Sequence, residues 1–194
     1  MRDTFSEGVS PGGLTDKDEI KILICYLLKS VASPLSFDNL NTIMQHDGLC
    51  NYFEFASALR ELLISGHLDL KKQDGEELYK TTSLGKETAA MFERRLPASI
   101  REKAVNTAIK LLSQIKREAE NRAEIEDNPS GGVYVTCSVL DRDDALLSVK
   151  LLVGDRAQAQ SVKQRFQQNP GLVYKGILAL MTGDTAVAAE LLKP

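Results

Sequence analysis

The stretch LCNYFEFASALRELLISGHLDLKKQDGEELYKTT, Leu49 to Thr82, decides the reading of this chain. Phe55, Ala58, Leu59, Leu62 and Leu63 fall at i, i+3, i+4, i+7 and i+8. That spacing draws one apolar stripe along a helix from Cys50 to Ser65. Gly66 follows at once, and a residue just past a helix end commonly takes the left-handed conformation that glycine adopts without strain. His67 to Lys72 then alternates, with Leu68 and Leu70 on one side. Asp74-Gly75 suits a hairpin turn with positive φ, and Glu77 to Thr82 returns. The pattern predicts a helix followed directly by a β-hairpin.

The residues before this stretch supply two more helices. Met1 to Gly13 holds Gly8, Ser10, Pro11, Gly12 and Gly13 and reads as a flexible or surface-draped arm over residues 1–14. Thr15 suits a helix N-cap with Asp18 three residues on, and Asp16, Asp18 and Glu19 suit the positive end of the helix dipole. Ile20, Leu23, Ile24, Leu27, Leu28 and Val31 form the apolar stripe, and Pro34 ends the helix. Ser36 caps a second, short helix with Leu40, Ile43 and Met44 inward, and Asp47-Gly48 turns the chain. Beyond the hairpin, Ser83 can cap a fourth helix, Leu84 to Arg95. Helix, helix, helix, hairpin, helix over residues 15–96 is the order of a winged helix-turn-helix domain.

A resemblance rests on these residues. Ser57-Ala58-Leu59-Arg60-Glu61-Leu62-Leu63-Ile64-Ser65-Gly66-His67-Leu68 resembles the end of the recognition helix in PadR- and MarR-like winged-helix transcription regulators. Leu70-Lys71-Lys72 to Lys80-Thr81-Thr82 resembles their wing, and Thr82-Ser83-Leu84-Gly85-Lys86 resembles their T-x-x-G entry to the next helix. Nearly the whole chain resembles an uncharacterised bacterial family of winged-helix-like proteins of unknown function. The resemblance implies a winged-helix fold over about residues 15 to 95. It brings no activity with it, because one fold hosts many functions.

The second half of the chain is read from period and breakers. From Pro97 a helical pattern runs to about Ile125, with Ile100, Ala104, Ala108, Leu111, Leu112, Ile115 and Ala119 on one face. A helix of about 28 residues would be about 42 Å long. By analogy with the regulators, this segment, residues 97–128, is expected to connect domains or form a dimer interface. Asn128-Pro129-Ser130-Gly131-Gly132 marks a boundary. Val133 to Leu140 and Ala145 to Val153 alternate with period two around the polar turn Asp141 to Asp144, a second β-hairpin. Asp155 can cap a helix to Gln168, Asn169-Pro170-Gly171 breaks it, and Leu172 to Met181 and Thr185 to Leu192 are helical. Residues 129–194 thus form a small ββαα domain. The fold class expected is α+β.

Composition narrows the functional classes. No apolar run approaches the roughly 20 residues of a membrane helix, and the start of the chain lacks a signal-peptide core. Three scattered cysteines, Cys25, Cys50 and Cys137, fit a reducing, cytoplasmic setting better than a disulfide framework. The net charge is −3. Residues 1–96 carry 11 Lys and Arg against 15 Asp and Glu, so the segment expected to hold a nucleic-acid surface is the most acidic part.

No enzymatic constellation, metal site or cofactor loop is expected. His46 and His67 lack metal-ligand spacing, and His67 reads as a partly buried structural histidine. Asp141, Asp143 and Asp144 read as turn formers, since a hard cation needs oxygens converging from several directions. Gly12-Gly13 and Gly131-Gly132 lack the strand and helix of a phosphate loop.

The expected function is a DNA-binding transcriptional regulator acting as a homodimer on double-stranded DNA, away from membranes. Its third helix would enter the major groove and its wing would lie beside the backbone. Asn51, Tyr52, Glu54 and Ser57 would face outward, with Arg60 farther along. Asn51 could read adenine and Ser57 a base or phosphate, while Lys71, Lys72 and Lys80 could neutralise phosphates. The C-terminal part would support dimerisation or sense an effector. The alternative is a winged helix that serves as a protein-interaction module, suggested by the acidic wing tip Asp74, Glu76 and Glu77. Of the aromatics Tyr52, Phe53 and Phe55, Phe53 and Phe55 diverge by about 200° on a helix, so one of them lies near the surface.

Overall fold

The computed structural model describes residues 8–73, 75–142 and 144–191. The protein is mixed α+β, with eight α-helices and two three-stranded antiparallel sheets among the described residues. It divides into two compact units, Met1–Leu112 and Ser113–Pro194. Asp74 of the wing tip, Asp143 of the second turn and residues 1–7 of the arm lie outside the described residues, as does Leu192 at the last helix end.

The first unit begins with a segment that is held in place. Ser10 N–H donates to the Gly48 carbonyl at 3.0 Å and Leu14 N–H to the Leu49 carbonyl at 2.7 Å. Leu14 is buried. Of the two expectations for the arm, flexible or surface-draped, residues 8–14 follow the second. Backbone pairing to 48–50 and one buried leucine hold them.

Helix α1, Lys17–Val31, is capped by Asp16 and not by Thr15. The Asp16 carboxylate accepts from the Asp18 and Glu19 N–H groups at 2.8 and 3.1 Å, and it adds negative charge at the positive helix end. Strand β1, Leu35–Ser36, leads into α2, Phe37–Gln45, with Ser36 as its cap. Helix α3 is Tyr52–Ile64, and Gly66 behind it sits at φ 73°. The hairpin is β2, Leu68–Gln73, and β3, Glu76–Thr81, and the sheet order is β1-β3-β2.

The T-x-x-G entry to α4, Ser83–Phe92, has a mechanical role. Thr82, not Ser83, is the cap, and its hydroxyl accepts from Gly85 N–H at 3.2 Å. The same hydroxyl lies 2.8 Å from the Gly66 carbonyl and 3.1 Å from the His67 carbonyl. A Cβ on Gly85 would sit 2.2 Å from the His67 carbonyl oxygen. The exit of α3 and the start of α4 are thus pinned to each other through residues 66–67 and 82–85. The core beneath is mostly aliphatic, with one buried ring: Ile20, Leu23, Ile24 and Leu27 of α1 meet Leu40 and Ile43 of α2, Phe55 and Leu59 of α3, and Leu68 of β2. Each such side chain contributes about 1.5–3 kcal/mol by leaving water.

Helix α5, Ala98–Glu120, has 23 residues and starts in the first unit, where Ile100, Ala104 and Ala108 are buried. It ends earlier than the expected reach to Ile125. Strand β4, Asn121–Asp127, follows directly. Ala123 and Ile125 alternate with Arg122, Glu124 and Glu126, which is strand period, and pairing with the neighbouring strand overrides the helical run before it. The glycine-rich stretch 128–132 is a tight turn joining strands of one sheet, with Gly131 N–H donating to the Asn128 carbonyl at 2.9 Å. The second unit therefore has three strands, β4, β5 at Val133–Asp141 and β6 at Asp144–Val153, in the order β4-β5-β6. The expected ββαα unit lacked the first of them.

Asp155 caps α6, Arg156–Gln168. Pro170 opens α7, Pro170–Thr182, and α8 is Thr185–Leu191. Helix α6 packs chiefly on β4 and β5, where Ala159 and Phe166 meet Ala123, Val133, Val135 and Cys137. No helix among the described residues is long and apolar enough to cross a membrane.

Candidate functional site

The outward face of α3 differs from the expected one. Asn51 is buried, and its side chain is the helix cap, accepting from Phe53 N–H at 2.8 Å and Glu54 N–H at 3.4 Å. An amide committed to orphan amides at a helix start is not presented to a base edge. Ser57 is half-buried under α1, where its hydroxyl accepts from Lys17 Nζ at 3.0 Å. Glu54 is buried with its carboxylate 3.9 Å from Lys17 Nζ. These three face inward because α1 lies over them.

The residues left outside are Tyr52, Phe53, Arg60 and Ile64, with Ala56 half-buried. Phe53 is 67% exposed and Ile64 76%, while Phe55 is fully buried. Phe53, Arg60 and Ile64 lie at i, i+7 and i+11, within about 20° of one line on a helix. Tyr52 is edge-on to Phe37 at 6.5 Å and to Phe53 at 5.5 Å, so the aromatic end of the stripe is braced against α2. Arg60 is exposed and takes part in no ion pair among the described residues. The face is an apolar stripe about 16 Å long with one cation in it.

The cations at its border are spent on folding. Glu61 of α3 binds Lys17 at 3.3 Å and also binds Lys21 of α1. The hydrogen bond from Lys21 holds the Glu61 carboxyl below its usual range, and the same contact raises the Lys21 ammonium.

On the wing the three lysines do not act together. Residues opposite each other in an antiparallel pair share a face. Lys71 is opposite Leu78 and Lys80 is opposite Asp69, on the outer face. Lys72 is opposite Glu77, on the face of Leu70 and Tyr79. Two of the three lysines therefore have a carboxylate directly across the ladder, and Glu76 adds another beside the turn.

The remaining candidates resolve simply. His67 is half-buried with Nδ1 2.8 Å from the Ser65 hydroxyl, and His46 lies 3.2 Å from Asp47. The cysteines are free and buried, and burial pushes the Cys25 and Cys50 thiols up to about 12. They are thiols, not thiolates, at neutral pH, and a thiol is a poor nucleophile. No group of acidic, histidine and cysteine side chains among the described residues converges as a metal site. A groove of about 290 Å³ in the second unit is lined by Gln114, Arg117, Glu118, Asn121, Gln167 and Gln168. Pro170 completes its lining.

The outward stripe was readable in the sequence: it lies opposite Phe55, Leu59 and Leu62, which were assigned to the core. No curated protein and no solved structure matches the chain. A family profile matches residues 20–181, and on that match the chain belongs to the family described as a domain of unknown function, DUF4364.

Proposed function

We propose that the first unit is a winged-helix module that recognises another protein through the outer face of α3. The order α1, β1, α2, α3, β2, β3 with sheet order β1-β3-β2 supports the winged-helix reading. One observation carries the function: the helix face that a DNA reader would fill with polar and basic groups is apolar, with Phe53 and Ile64 more than two-thirds exposed. Phosphate binding needs several uncompensated cations, and of the candidate contacts on α3 and the wing Arg60 and Lys71 are the two with no carboxylate paired or directly opposite. The partner that fits is a polypeptide segment with apolar side chains spanning Phe53 to Ile64 and a carboxylate for Arg60.

Selection of a random peptide library on the full chain tests this. The enriched peptides should be apolar with an acidic residue. Their affinity should fall at least about tenfold in Phe53→Ser plus Ile64→Ser, with helix content unchanged. Peptides indifferent to that double change, or no enrichment, would overturn the proposal.

A second reading is favoured by one observation. Lys71 and Lys80 share the outer face of the wing, and with Arg60 they would give a dimeric DNA-binding regulator three phosphate contacts per copy. In that case Lys71→Ala plus Lys80→Ala would weaken all sequences about equally and flatten the salt dependence.

A further inference from the structure

We infer that strand β6 is an interface for a second copy of this chain, paired antiparallel across a two-fold axis at Val149. The inference concerns the second unit and stands apart from the proposed role of α3.

β6 is the edge of its sheet, with no strand on its outer side among the described residues. Edge strands are normally guarded by charge, proline or short length. The opposite edge, β4, is guarded in this way by Arg122, Glu124, Glu126 and Asp127. β6 is 10 residues long, has no proline and has one charge in its middle, Lys150. That charge does not guard the edge. Lys150 Nζ lies 4.4 Å from the Tyr134 ring centre and 3.4 Å from Glu126, so it leans across β5 toward β4. Three of the four leucines of the strand are left open: Leu146 is 52% exposed, Leu151 42% and Leu152 57%. Leu151 lies on the face that bears α6 and is uncovered because α6 packs over β4 and β5.

The chemistry of the strand selects the occupant. Opposite residues of an antiparallel pair share a face, so across a two-fold axis one residue must face its own copy. With Val149 on the axis, Leu147 meets the second copy's Leu151, and Ser148 meets its Lys150. Leu-Ser-Val-Lys-Leu is therefore self-complementary, and no charge meets its like. With Lys150 on the axis the two ammonium groups would oppose each other. With Leu147 on the axis, Leu152 would meet Arg142, beyond the start of the strand. Regular pairing ends at Leu146, where the β5–β6 register shifts. The paired segment then joins two sheets into one of six strands, with an unbroken apolar row of Leu147, Val149 and Leu151 from each copy.

Ser148 supplies a register-specific test, since it is exposed and its hydroxyl meets only Ser138, at 3.3 Å, among the described residues. Sedimentation of the full chain should give a dimer. Ser148→Lys places a lysine opposite the second copy's Lys150 at two symmetric positions and should raise the dimer Kd about two- to thirtyfold. Ser148→Glu should lower it. Ser148→Lys combined with Lys150→Glu should restore it, and unchanged circular dichroism keeps misfolding out of the comparison. A monomer at about 100 µM would overturn the inference. So would a dimer indifferent to Ser148, or one weakened by Ser148→Glu.

Discussion

The two units treat their apolar residues in opposite ways. In the first, α1, α2, α3, the hairpin and the start of α5 close over one continuous core, and what stays outside is the stripe on α3 together with Leu70 of β2, Leu84, Met91 and Phe92 of α4 and Ile109 of α5. In the second, a small core forms beneath α6, while the β6 leucines and Leu172, Leu178, Leu180 and Met181 of α7 remain exposed. Both contain a three-stranded sheet, so strand number does not explain the difference. Coverage does. The first unit buries its apolar residues mainly between helices, with its hairpin largely exposed, and in the second α6 covers two of the three strands. Exposed apolar residues in the second unit thus lie on α7 and on the strand that α6 leaves uncovered, whereas those in the first surround a core closed between helices.

The comparison can be broken most sharply in the cores. Phe55→Ala should cost about 3–5 kcal/mol by urea unfolding, because a fully buried ring leaves a cavity. Met181→Ala, at a side chain 82% exposed, should change stability by less than about 0.5 kcal/mol. Equal losses would mean that α7 is as packed as α3.

Next comes the clasp between α3 and α4. Gly85→Ala drives a methyl into the His67 carbonyl and should cost about 1–3 kcal/mol. Thr82→Val should cost about 1 kcal/mol through the lost cap. A silent Gly85→Ala would show that α4 shifts freely against the exit of α3.

The smallest effect is pH-dependent. The Lys21 hydrogen bond keeps the Glu61 carboxyl below its unfolded-state pKa of about 4.3. The stabilisation is therefore fully present above that value and is lost as pH falls through the lower folded-state pKa. Because the Glu61 side chain is 43% exposed, the loss should stay under about 1 kcal/mol. Thermal melts at pH 6 and pH 3 should show Glu61→Gln losing less stability between the two than the native chain.

Local chemistry made much of the first unit legible. Phe55, Leu59 and Leu62 mark the inner face of α3, Gly66 its end, and Gly75, at φ 84°, the turn before β3. Caps were read one residue late or early where two candidates stood side by side, as at Thr15 and Asp16 or Thr82 and Ser83, because either side chain has the chemistry and only geometry chooses. β4 is hidden because Asn121 to Asp127 continues a helical run without a breaker, and its strand state depends on pairing with β5 across the turn at 128–132. Asn51 and Ser57 were misplaced for a related reason. Both types can read DNA, but α1 covers that side of α3, and no local pattern shows which polar residues a neighbouring helix will cover. The exposed β6 leucines look in sequence like any buried strand.

The most direct measurement is selection of a random duplex DNA library on the full chain at about 50 mM salt. The account predicts no enriched sequence, and weak residual binding that Lys71→Ala plus Lys80→Ala barely alters. An enriched site that is lost on raising salt to about 200 mM, or on removing those two lysines, would contradict it. The outer face of α3 would then be a DNA-reading surface despite its phenylalanine and isoleucine.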